Sequence, residues 1–100
     1  MNYPEQMQMG ARSIHVHVTD APMTRAADNK KVVGKFLPLA GDMYIFHDTD
    51  KPEIGGEAFV HELCEAADVI YDLKLPHQTI QTLSAALFQA FSSGKVAFAN

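Results

Sequence analysis

The chain has 100 residues, 47% of them hydrophobic and 20% charged, with a formal net charge of −4. That length bounds it to one small core, and the composition is that of a globular protein rather than a disordered or fibrous one. A pI near 5.6 argues against direct contact with nucleic acid or anionic membranes, which need clustered Lys and Arg, and the single Cys64 excludes an internal disulfide or a multi-cysteine zinc site.

Residues 1–11, with Met1, Met7, Met9 and Gly10, follow neither helical nor strand periodicity. They are expected to form a flexible N-terminal arm, leaving residues 12–100 as a single α+β domain. From Ser13 the pattern alternates: Ile14, Val16 and Val18 point one way, His15, His17 and Thr19 the other. This is the period of a half-buried strand. Residues 20–30, with Asp20, Pro22, Asp28 and Asn29, read as a connecting loop. Residues 31–39 and 42–47 read as two further strands joined by a turn at Ala40-Gly41-Asp42. Pro38 donates no ladder hydrogen bond, so it belongs at a strand end or an edge.

The second half changes period. After Asp48, Thr49, Asp50 and Pro52, residues 56–73 repeat every 3.6 residues. Phe59, Leu63, Ala66, Ile70 and Leu73 fall on one side, while Glu57, His61, Glu65, Asp68 and Asp72 fall into a narrow arc opposite. Residues 52–73 carry six carboxylates, adding Glu53 and Glu62 to that arc, and no Lys or Arg. Asp68 and Asp72 sit at the negative end of the helix, at a cost of roughly 0.3 kcal/mol or more each, so something other than helix stability keeps them there. Leu75-Pro76 interrupts the helix, and a second helix is predicted from Pro76 to Ser93 with Gly94 as its cap. Ile80, Leu83, Leu87 and Phe91 form its apolar stripe. The short linkage favours an antiparallel hairpin. The predicted architecture is α+β: a three-stranded antiparallel sheet followed by an antiparallel two-helix hairpin (βββαα), the helices covering one sheet face. Leu63, Ile70, Leu83 and Leu87 are expected at the centre of the core.

Few spacings carry chemistry. His15 and His17 share a strand face about 7 Å apart, a separation that can hold a metal only if further ligands come from elsewhere, such as His47 or Asp42. His61-Glu62-Leu63-Cys64-Glu65 begins like the zinc-protease motif, but Glu65 stands where the second His is required. Counting from Asp48 puts Glu53 and Phe59 at the sixth and twelfth places, so no calcium loop forms. Phosphate-binding loops and serine-nucleophile motifs are absent. Cys64 reads as a small buried hydrophobe without a neighbouring cation to activate it.

These patterns point to a small non-catalytic interaction protein, with no cofactor and no metal site. Its acidic helix, through Glu57, His61, Glu65, Asp68 and Asp72, is expected to dock on the basic, nucleic-acid-binding surface of a protein partner, in the manner of a phage or mobile-element inhibitor. Two alternatives stand beside this. One is a metal-binding protein or small enzyme built on His15, His17, His47 and His61. The other is a homodimeric regulatory module using the uncharged second helix, with Gln81, Phe88 and Gln89 at the contact. No stretch resembles a secretion signal or a membrane span, so a cytoplasmic location is expected.

Overall fold

A computed structural model describes residues 2–95; Met1 of the expected arm and residues 96–100 of the expected domain lie outside the described residues. In chain order the elements are β1 (Gln6–Met9), β2 (Arg12–Thr19), β3 (Met23–Thr24), β4 (Lys31–Val32), β5 (Gly34–Leu37), β6 (Asp42–Phe46), α1 (Pro52–Ile70) and α2 (His77–Gly94). The protein is α+β. Its main sheet has four strands in the order β1-β2-β6-β5, and β3 and β4 pair as a separate two-stranded ribbon.

Two features differ from the three-stranded antiparallel sheet expected from sequence. Residues 6–9 are a strand rather than part of a loose arm, pairing antiparallel with β2. Met7 and Met9 turn inward against the core, and Gln6 and Gln8 stay exposed. Gly10 makes the reversal to β2 at φ +59, where a Cβ would meet the Tyr71 hydroxyl at 3.2 Å; both facts suit glycine. The second difference is the parallel pairing of β2 with β6, with Val16 opposite Met43 and Val18 opposite Ile45. The β5–β6 hairpin forms as expected but docks on β2 through its second strand. Residues 20–41 provide the long crossover that parallel neighbours require.

The core lies between this sheet and α1. Ile14, Val16, Met43 and Ile45 from the two central strands meet Ala58 and Ala66 of the helix, with Leu63 and Ile70 partly buried against them. Small alanines at the contact let the helix approach the sheet closely. Complete burial of Ile14, Met43 and Ile45 contributes roughly 1.5–3 kcal/mol apiece. Leu83, expected at the core centre, is 42% exposed instead, because α2 forms an outer layer against α1 rather than a second cover on the sheet. The contacts fix its direction. His61 meets Ser84, Glu65 meets His77 and Asp68 meets Leu75, so α2 runs back along α1. Among the described residues no helix is long and apolar enough to cross a membrane.

Candidate functional site

α1 starts at Pro52, whose missing N–H costs nothing in a first turn, and ends at Ile70. The chain then reverses through Asp72 (φ 50) and Lys74 (φ 57) before Pro76 sets up α2. This geometry breaks up the acidic row read from the sequence. Glu57 is exposed on the helix and Asp72 is exposed in the turn, beyond the helix end. His61, Glu65 and Asp68 are half-buried, and all three make contacts within the chain. Asp68 accepts the backbone N–H of Leu75 at 2.8 Å, tying the inter-helix turn to α1. His61 Nδ1 lies 3.2 Å from the Ser84 hydroxyl. Glu65 approaches two imidazoles at once, His61 Nε2 at 3.3 Å and His77 Nδ1 at 3.6 Å.

The three side chains His61, Glu65 and His77 each present one ligand-type atom within 4.8 Å of the others. They line a cleft of about 710 Å³ between the first turns of α2, the body of α1 and residues 31–35 of the sheet edge. The far wall is basic, with Arg25, Lys31 and Lys35. Arg25 is engaged by Asp28 at 3.0 Å, and Lys31 donates to the Thr24 hydroxyl. Glu62 lines the same cleft and is only 8% exposed. Desolvation, with Glu65 nearby as a smaller cause, raises its carboxyl to about 7. Gly34 makes room for it: a Cβ there would sit 3.0 Å from the Glu62 carboxylate.

Cys64 is buried, and burial, reinforced by Glu65, pushes its thiol up. The thiolate needed for nucleophilic chemistry is therefore disfavoured. The four histidines of the sequence-based metal alternative do not converge. His15 and His17 lie on the sheet face away from α1, where His17 pairs with Asp42 at 2.9 Å and stacks on Tyr44. His47 meets the Tyr3 hydroxyl at 3.1 Å. Among the described residues, of these four only His61 belongs to a cluster of ligand-type side chains, and its companions are Glu65 and His77.

α2 is rotated from its expected setting. Ile80 and Ser84 are its buried residues. Gln81 lines the cleft, Phe88 is half-buried and Gln89 is exposed. The outward side carries Thr79, Leu83 and Ala86, which line a shallow groove with Pro76. His77 escaped the sequence reading because it belongs to another helix. Its signal was the antiparallel hairpin itself: folding the chain at residues 71–76 sets the start of α2 beside the turn of α1 that carries Glu65. Comparison of the chain with protein-family models, curated proteins and solved structures found no match.

Proposed function

We propose that this is a small non-catalytic interaction protein of the cytoplasm, whose contact surface is the outward side of α2, helped by the exposed carboxylates of the chain. The observation that carries the reading is the state of α2. Of its 18 residues only Ile80 and Ser84 are buried, yet no Asp, Glu, Lys or Arg occurs from Leu75 to Gly94. A solvated helix normally carries charge on its outer side. This one offers Leu83, Thr79 and Ala86 instead, and an uncharged, partly apolar side rimmed by polar groups suits a macromolecular contact.

The acidic contribution is smaller than the sequence suggests. Glu53 and Glu57 are exposed, and neither has a cation within ion-pair distance among the described residues. Together with Asp72 they supply the exposed negative charge that would select a basic, nucleic-acid-binding surface on a partner, as a phage or mobile-element inhibitor would, speeding association more than deepening affinity. The test is capture from the source cell with tagged protein at stepped salt, comparing wild type with Leu83→Asp. The reading predicts one dominant, salt-sensitive partner that the variant fails to retain. Equal recovery by both proteins would contradict it. A second copy of the chain, detected as a dimer that Leu83→Asp dissociates, would reassign the same face to self-association.

A further inference from the structure

The geometry points to a binding site for one divalent transition-metal ion, zinc above all, formed by His61 Nε2, a Glu65 carboxylate oxygen and a ring nitrogen of His77. His61 and Glu65 stand four apart on α1 and so share a helix face. His77 comes from the first residue of α2. Their ligand atoms all lie within 4.8 Å of one another, and the two distances to the Glu65 oxygen are 3.3 and 3.6 Å. A tetrahedral zinc ion with bonds of about 2.0–2.2 Å separates its ligand atoms by roughly 3.3 Å. The cluster is thus close to coordination spacing before any ion draws it in.

The hydrogen bonds around His61 supply a second argument. Ser84 is 3% exposed, and its hydroxyl donates its single hydrogen to the Gln81 carbonyl at 3.1 Å. Towards His61 it can therefore only accept, so the proton of the neutral imidazole sits on Nδ1. Nε2 is left with a lone pair aimed at the Glu65 carboxylate. Two lone pairs facing each other at 3.3 Å repel, and the arrangement calls for a positive charge between them. No Lys or Arg among the described residues pairs with Glu65. Either a proton on Nε2 or a metal ion supplies that charge. A ligating histidine whose other nitrogen is held by a buried acceptor is the arrangement that metal sites use to fix the tautomer.

The donor set selects the ion. Two imidazoles and one carboxylate suit zinc and its neighbours, whereas magnesium and calcium prefer oxygen alone. Three protein ligands leave a fourth position for a further ligand, and all three line the cleft that Lys31 and Lys35 also line. The ion would also pin the start of α2 to α1, so its binding stabilises the folded chain.

The test uses the full chain purified without a histidine tag, stripped with chelator and titrated with cobalt(II) and then zinc(II). The site predicts one ion per chain, the intense visible bands of four-coordinate cobalt, and a rise in melting temperature. His77→Ala, at an exposed position, and Glu65→Gln should each weaken zinc binding at least about tenfold, and Ser84→Ala by about 10–100-fold. His15→Ala/His17→Ala should leave it unchanged. A wild-type chain that gives no cobalt bands and no thermal shift would mean that a proton alone bridges His61 and Glu65, overturning the proposal. Equal zinc affinity in wild type and His77→Ala would overturn it as well.

Discussion

The Asp68 carboxylate accepts the backbone N–H of Leu75 at 2.8 Å, seven residues on, where the chain turns from α1 to α2. That bond explains an acidic residue at the negative end of a helix: Asp68 satisfies a turn amide that α2 does not use. Asp68→Ala should lower unfolding free energy by about 1–3 kcal/mol, since a charge-assisted bond is lost. Glu57→Ala, at an exposed position, should stay within about 0.5 kcal/mol of wild type. Urea denaturation of both variants checks this, and equal stabilities would remove the structural role of Asp68.

Glu62 predicts a pH dependence. Its ordinary value of 4.5 is raised to about 7 in the folded chain. Below about pH 4.5 both folded and unfolded chains hold the proton. As pH rises towards 7 the unfolded chain releases it while the folded chain keeps it, so stability declines across this window. The decline amounts to something on the order of 3 kcal/mol. Glu62→Gln keeps the shape and cannot ionise, so its stability between pH 5 and 8 should decline less and exceed wild type at pH 8. Chemical denaturation in the presence of chelator measures the difference, and parallel pH profiles would contradict it.

Packing gives a third expectation. Ile45 is completely buried between β2, β5 and α1, whereas Leu83 is 42% exposed. Ile45→Ala should cost about 2–5 kcal/mol, and Leu83→Ala less than about 1 kcal/mol. Comparable losses at the two positions would place α2 in the core and contradict the layering described above.

Much of this fold was readable from residue pattern. Ile14, Val16 and Val18 alternate with histidines because one face of β2 meets α1; of these, Ile14 and Val16 are buried and Val18 is half exposed. Pro76 marks the start of α2 as expected, whereas α1 runs from Pro52 to Ile70, starting and ending a turn earlier than the 56–73 repeat suggests because proline fits the first helical turn. β1 was missed because Gln and Met carry little strand signal, although Met7 and Met9 do alternate inward. The parallel pairing of Val16 with Met43 depends on how the β5–β6 hairpin docks, and no local period encodes that. The helical wheel also assumed that α1 had one wet side. α2 covers part of that side through Ile80 and Ser84, which is why His61, Glu65 and Asp68 turned out to be partnered. That His61 and Glu65 share a helix face was visible, while the approach of His77 to Glu65 was not, since hairpin geometry rather than spacing joins them.

The proposed contact surface for a basic partner is the outward side of α2, with the exposed carboxylates Glu53 and Glu57 adding charge selection. The most direct measurement is the affinity of the captured partner for wild type, Leu83→Asp and the double variant Glu53→Lys/Glu57→Lys, each shown to melt like wild type, at low salt and near 1 M salt. Leu83→Asp should bind at least about tenfold more weakly, a difference of roughly 1.4 kcal/mol. The double variant should bind weakly at low salt, with a flatter salt dependence, because the Debye length of about 10 Å at 0.1 M falls to about 3 Å at 1 M. Wild-type affinity in both variants at low salt would show that the outward side of α2 and the exposed carboxylates of α1 are solvated surface and not a contact site.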